Sequence, residues 1–228
     1  MSKPFHILII GGGIGGLTLA QGLKRAGVSA AVYERDRTLT DRLQGYRVHI
    51  SPTGSLALHE CLAPHLFEVF DRTCGAPTTA VRFFTEQMRL LLAFDGDLVA
   101  SIDPVARHRS ASRITLRQVL LAGLDSVHFG KTFRCYEEHN GRITAYFEDG
   151  TSVEGDVLVA ADGGGSRVRR QFLPDAQRVE TGVVGIAGKM RQTVTDGLPA
   201  LMLSRLTMRT ISLLPPVKQI VARRLGEE

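Results

Sequence analysis

Cysteine is scarce in this chain, and the little there is excludes whole classes of protein. Cys61, Cys74 and Cys135 are odd in number and irregularly spaced. They supply neither a disulfide framework nor a zinc cluster, and they imply a reducing, intracellular setting. Long hydrophobic runs are missing as well: no stretch approaches the roughly 20 apolar residues of a transmembrane helix. The apolar run Ile7–Ile10 is broken off by glycines, which does not suit a signal peptide, so stable membrane insertion is not expected and a cytoplasmic location is the default. The formal net charge of +5 comes from arginines spread along the chain, with no long basic run and no interleaved aromatic residues. That pattern favours an anionic ligand or mere solubility over nucleic-acid binding. His49, His59, His65, His108, His128 and His139 lack metal-ligand spacing, and no Ser/His/Asp set stands out. No catalytic acid, base or metal is therefore assigned.

What is present is an ordinary globular composition of 228 residues, 43% hydrophobic and 22% charged, enough for one large or two small domains. The most informative stretch is Phe5 to Gly16, FHILIIGGGIGG. Ile7, Leu8, Ile9 and Ile10 read as a strand buried on both faces, the usual central strand of a parallel sheet. Gly11, Gly13 and Gly16 follow in G-x-G-x-x-G spacing, with Ile14 and Gly15 between them, and Leu17, Leu19, Ala20 and Leu23 carry a helical period. Gly11 permits a tight strand-to-helix turn, Gly13 lets the backbone approach a pyrophosphate, and Gly16 lets the helix lie close on the strand. The helix N-terminus then offers free N–H groups to the anion. A second strand, Val28 to Tyr33, ends in Glu34-Arg35-Asp36. Glu34 lies 18 residues after Gly16, close to the roughly 20-residue spacing at which an acid takes the ribose hydroxyls. A carboxylate there favours an adenosine ribose without a 2′-phosphate.

Further along, Leu43 to Ile50 reads as a loop entering a short extended run, with Gly45 and Arg47 in it, followed by a turn at Ser51-Pro52-Thr53-Gly54. Arg47 is placed either to reach a phosphate or simply to be exposed. Ser55 to Val69 has helical period and a break at Pro64. Thr78–Phe84 and Leu90–Phe94 read as an antiparallel hairpin closed off by a turn at Asp95-Gly96-Asp97, of a second subdomain inserted into the first. Arg113 to Leu120 resumes a helix, with Arg113 and Arg117 sharing a face at i, i+4, an arrangement that suits either a phosphate or flavin edge or a solvated surface. Val127-His128-Phe129 is a short strand, and Phe133–Glu138 with Arg142–Glu148 is a hairpin turning at His139-Asn140-Gly141 and ending at Asp149-Gly150. Asp156 to Ala161 is another buried-type strand that runs into Asp162-Gly163-Gly164-Gly165-Ser166, with Ser166 a good N-cap. Asp162 and Gly163 sit at the strand's carboxyl end, where ligands of open α/β sheets bind.

These residues carry a resemblance. The chain resembles the FAD-dependent aromatic hydroxylases, flavoprotein monooxygenases similar to p-hydroxybenzoate hydroxylase, over about residues 5 to 190. GGGIGG with Glu34 resembles the family's ADP-binding βαβ unit. Arg113-x-x-Leu116-Arg117-x-x-Leu120 resembles the helix whose first arginine touches the FAD, and Asp162-Gly163-x-x-Ser166-x-Val168-Arg169 matches the motif linked to both FAD and NAD(P)H. Gly45 and Arg47 sit where the family places a loop near the flavin and its pyrophosphate. The resemblance implies an α/β fold: an FAD-binding Rossmann-like parallel sheet with a crossover β-hairpin, plus a partial antiparallel substrate-domain sheet. The FAD domain would comprise residues 1–76 and 104–180, and the partial substrate domain residues 77–103 and 181–228, with Gly182 to Met190 beginning the second visit to its sheet. The family's further G-D motif is not found, and from about Arg191 the pattern turns irregular. The chain is therefore expected to be cut short or frameshifted near its end.

The resemblance further implies FAD as cofactor, NAD(P)H as co-substrate, and hydroxylation of an aromatic or polyketide-like small molecule by O2 through a flavin C4a-hydroperoxide. In such enzymes the cofactor carries the hard chemistry and the protein binds, orients and excludes water. Two other readings stay open: a related flavoenzyme of halogenase or prenyl reductase type, or a non-catalytic nucleotide-binding remnant. The chain has no tryptophan, which counts against a halogenase, since those enzymes resemble one another in a tryptophan-containing signature.

Overall fold

A computed structural model describes residues 4–38, 47–75, 80–85, 87, 89–95, 103–176 and 178–179. Gly45, the turn residues Gly96 and Asp97, and the segment Gly182 to Met190 lie outside the described residues.

The apolar run after Phe5 forms β1 (His6–Ile10), central in a parallel sheet with β2 (Ser29–Tyr33), β7 (Val127–His128) and β11 (Val157–Ala160), in the order β11-β1-β2-β7. Leu8 and Ile9 are fully buried and Ile10 nearly so. They belong to different cores, because successive strand side chains point to opposite faces. Ile9 packs with Leu17, Leu58, Phe70, Leu116 and Leu120, whereas Leu8 and Ile10 pack with Phe133, Ala145 and Phe147. A continuous β-branched and leucine run is the sequence that such two-sided burial requires.

The first core is roofed by helices. They are α1 (Ile14–Arg25), α2 (Pro52–Cys61), α3 (Pro64–Thr73) and α4 (Arg113–Leu121). The helical period broken at Pro64 resolves into α2 and α3, with the proline at the start of α3, where its missing N–H costs nothing. The expected turn at 51–54 is instead the first turn of α2, because the Ser51 hydroxyl accepts from the Gly54 N–H at 3.2 Å and caps it. Buried Gln21 donates to the Leu120 and Ala122 carbonyls at 2.8 and 2.9 Å, tying α1 to the end of α4.

The second core lies under an antiparallel sheet of β8 (Phe133–His139), β9 (Arg142–Phe147) and β10 (Ser152–Gly155). The hairpin of β8 and β9 matches the sequence expectation. The third strand does not, since the reading ended that hairpin at Asp149-Gly150. SVEG is short, polar and glycine-ended, so it has no period of its own. It is recruited by pairing with β9 and by the close seat of Gly155 on Leu8. A second strand also went unread: β6 (Arg109–Ser112) pairs with β3 (Arg47–Ile50), across more than 50 residues of chain. The last described helix is α5 (Arg167–Phe172), whose Arg169 N–H is capped by the Ser166 hydroxyl at 2.9 Å.

By its internal contacts the chain divides into two units, Met1–Thr79 with Val99–Gln177, and Ala80–Leu98 with Arg178–Glu228. In the second unit the described elements are β4 (Ala80–Phe84) and β5 (Leu90–Asp95), an antiparallel pair with a register shift between Phe83 and Phe84.

One buried ion pair anchors the connection into β6. The Arg109 side chain is only 3% exposed; its Nε donates to Asp71 at 2.7 Å, and its other nitrogens donate to the carbonyls of Val105 and Pro104 at 2.6 and 3.0 Å. Phe67 and Phe70 face its guanidinium at 5.4 and 6.0 Å. Burial works against ionisation of Asp71, but hydrogen bonds from Arg107 and Arg109, with their charges, outweigh it and hold the carboxyl below its ordinary 3.8. Its stabilising contribution is therefore complete above that ordinary value and lost as the pH falls through the depressed one. Asp71→Ala strands a buried guanidinium and should cost about 3 kcal/mol in denaturant unfolding at neutral pH. The gap to the unsubstituted chain should narrow as the pH drops below 3.8; a gap that stays constant into acid would remove the ion pair as its cause.

Candidate cofactor site

The turn from β1 into α1 is built by glycine at the places where a side chain has no room. Gly11 has φ +110°, and a Cβ there would meet the Ala161 carbonyl of the neighbouring strand. A Cβ on Gly16 would strike the Gly11 carbonyl, so α1 lies against its own strand with only backbone between. Gly13 and Gly15 differ in kind. Nothing lies within 4 Å of where their Cβ atoms would be. Gly13 is the N-cap of α1, no side chain caps the helix, and its first turn holds no acid. The N–H groups of that first turn lack intrahelical partners and face an open approach, the cradle an anion needs.

The end of β2 brings a carboxylate beneath this turn. Glu34 is 7% exposed; one carboxylate oxygen accepts from the Gly12 N–H at 2.6 Å and the other from the Asp36 N–H at 2.9 Å. Each oxygen retains a lone pair for a further donor. Arg117 reaches in from α4, its Nε donating to the Gly12 carbonyl at 3.2 Å.

At the end of β11, Asp162 accepts with Oδ2 from the N–H groups of Arg167 and Val168 at 2.7 and 3.4 Å. Its Oδ1 is buried without a hydrogen-bond partner among the described residues. A buried acceptor without a protein partner calls for a donor from outside the chain, water or ligand. Gly163 follows with φ +80°.

These strand ends enclose a cavity of about 590 Å³, inside the roughly 300–1,000 Å³ range of small-molecule sites. Of the residues singled out in the sequence, Gly11, Gly13, Ile14, Glu34, Arg35, Arg113, Arg117, Asp162 and Gly163 line it. Gly16 lies beneath it as packing and Gly15 is outside its lining. Arg47 is elsewhere: its guanidinium donates to the Ser110 carbonyl at 3.1 Å across the β3–β6 pair. The i, i+4 spacing of Arg113 and Arg117 gave both one role, but their surroundings separate them. Arg113 is exposed, whereas Arg117 is turned toward Glu34 and Asp36.

Lys131, Thr132, Arg167 and Arg170 also line the cavity and were not expected. Lys131 is held by Asp149 and Thr151 at 2.6 and 2.9 Å, and its hydrogen bond is the largest influence pulling the Asp149 carboxyl down to about 2. The local sequence marks these residues only weakly. They reach the cavity because β8 and α5 start beside the ends of β2 and β11, and a basic residue at an element start beyond a glycine turn is the weak signal that could have found them. No helix among the described residues is long and apolar enough to cross a membrane.

Residues 9–73 match the NAD(P)-binding Rossmann-like domain family. A dual O-methyltransferase/FAD-dependent monooxygenase of Phaeosphaeria nodorum is 31% identical over 193 residues, covering 82% of this chain and 21% of its own length. Among solved structures, a protein assigned as an FAD-containing monooxygenase from Photorhabdus luminescens superposes with a TM-score of 0.65 at 38% identity, over 75% of this chain and 43% of that one. Klebsiella pneumoniae HpxO, complexed with FAD and uric acid, superposes with a TM-score of 0.58 at 29% identity, over 73% of this chain and 41% of that one. The chain thus spans well under half the length of each of these relatives. In sequence and in fold, this chain is similar to part of proteins named FAD-dependent monooxygenases.

Proposed function

We propose that this chain is the FAD-binding part of a monooxygenase that hydroxylates an aromatic or polyketide-like small molecule with NAD(P)H and O2. One observation carries the reading: an uncapped helix N-terminus, the buried Glu34 and Asp162, which holds a partnerless buried oxygen, all line one cavity at the sheet's carboxyl edge. A dinucleotide asks for that set, since its pyrophosphate needs N–H donors and its sugar hydroxyls need acceptors.

The site residues divide accordingly. The backbone of Gly13, Ile14 and Gly15 takes the pyrophosphate, and the Glu34 carboxylate accepts from the adenosine ribose. Asp162 accepts from a hydroxyl further along, with Gly163 keeping that approach clear. Arg113 and Arg35, both exposed at the cavity, supply positive charge. Gly45 and Arg47 are assigned to the loop near the flavin by resemblance alone. FAD, held by these residues, would supply the redox chemistry that links NAD(P)H and O2 to hydroxylation of the substrate. That HpxO takes uric acid supports a planar, electron-rich ring as substrate. Residues 77–103 and 181–228 are assigned to the domain that holds that ring.

Purified protein should carry or take up yellow flavin; a chain that binds neither FAD nor ADP at millimolar concentration would overturn the reading. Glu34→Ala should weaken FAD binding at least tenfold in fluorescence titration while the chain stays folded, in line with the loss of a charge-assisted hydrogen bond worth about 1.5–3 kcal/mol. The glycines should split by kind. Gly13→Ala, where a methyl meets nothing within 4 Å, should leave the melting temperature unchanged and weaken FAD binding. Gly16→Ala, whose methyl would strike the Gly11 carbonyl, should lower the melting temperature first.

A further inference from the structure

We infer that Arg117 is a positioning residue that sets the ribose selectivity of the cavity, an inference resting on the cofactor reading above. Three contacts meet on its guanidinium. Nε donates to the Gly12 carbonyl at 3.2 Å, Nη2 stands 3.9 Å from the Glu34 carboxylate, and Nη1 stands 3.5 Å from that of Asp36. All three side chains are secluded, at 15%, 9% and 10% exposure for Arg117, Glu34 and Asp36. The Phe129 ring lies 6.0 Å from the guanidinium carbon, which shields one side of it from water.

At this junction the Glu34 and Asp36 carboxylates meet the Arg117 cation in little water. Glu34 and Asp36 are two residues apart at one strand end, and their mutual repulsion is only weakly screened there. One planar cation between them offsets that repulsion, and its fork geometry lets it face both carboxylates while a third N–H engages the peptide of Gly12. That peptide's own neighbour closes the circuit, since the Gly12 N–H donates to Glu34 at 2.6 Å. Arg117 therefore grips the glycine turn and the acid from one point, and α4 holds it there through the buried Leu116, Val119 and Leu120. With Glu34 held, its remaining lone pairs stay aimed at the cavity. Without Arg117, the carboxylate gains by turning away from Asp36 toward water, and the ribose loses its acceptor. A lysine at 117 keeps the charge as a point and lacks the planar fork whose three nitrogens face the Gly12 carbonyl and the two carboxylates.

The whole 228-residue chain serves for the test, with ADP and 2′-deoxy-ADP as probes in calorimetry. The unsubstituted chain should prefer ADP about tenfold, and Arg117→Gln should reduce that preference to twofold or less. Arg117→Lys should restore the melting temperature but only part of the preference. If Arg117 instead touched phosphate directly, Arg117→Gln would weaken both nucleotides equally and leave the preference intact, which would overturn the inference. Amide hydrogen exchange gives a readout free of ligand: in the glutamine variant the Gly12 N–H should exchange at least tenfold faster relative to that of Gly11, which is bonded to the Tyr33 carbonyl rather than to Glu34. Equal acceleration of both amides would mean mere loosening and would also overturn it. Should the unsubstituted chain bind neither nucleotide, the cofactor reading is what fails, and the Gly12-to-Gly11 exchange ratio alone decides whether Arg117 positions the turn. Should the glutamine variant fail to fold, the lysine variant carries both measurements, and an undiminished ADP preference in it would overturn the inference.

Discussion

The closeness of α1 to its own strand is the constraint on which the glycine turn and the cavity beside it depend. Gly16 has backbone where any other residue would have a side chain, and Gly11 turns at a positive φ against the Ala161 carbonyl of β11. That fit seats the helix N-terminus directly over the carboxyl edge of β1. The side chains on both faces of β1 lock the geometry, Ile9 into the helical core and Leu8 with Ile10 into the core under the antiparallel sheet.

Around this backbone frame the polar groups are arranged by burial and charge. Arg109 and Arg117 are both sunk into the chain, and each is matched by carboxylate. Arg109 meets Asp71 and two carbonyls and pins the entry into β6, a structural task away from the cavity. Arg117 meets Glu34, Asp36 and the glycine turn at the cavity's edge. The two arrangements look alike as lists of contacts. They differ in what the carboxylate does with its remaining lone pairs: Asp71 spends them on a second arginine, Arg107, whereas Glu34 keeps them facing an open cavity.

Legibility in the sequence followed the range of the interaction that each element needs. β1, α1, β2 and the end of β11 are locally self-consistent, with apolar runs, glycine spacing and helical period pointing the same way, and the structure has them where the pattern puts them. β10 and β6 were not legible. SVEG and RSAS carry no apolar alternation, and each becomes a strand only because a partner offers it a ladder, β9 in one case and β3 in the other. The start of α2 was misread for a related reason, since Ser51 turns an apparent loop into a capped first turn.

The candidate site divides along the same line. Sequence by itself determined the glycine turn, the acid after β2 and the Asp162–Gly163 edge of β11, because short-range backbone geometry dictates the glycines and the ends of buried strands dictate where acids can stand. Only the tertiary structure decided what the arginines do. Arg113 and Arg117 are indistinguishable by spacing on one helix face, yet one is exposed at the cavity and the other is drawn between two carboxylates that follow β2. Arg47, grouped with them by resemblance, is tied to Ser110 on another pair of strands. A long cation goes where unpaired negative charge is buried, and which carboxylates are buried beside it is settled by packing between elements some 80 residues apart in the chain.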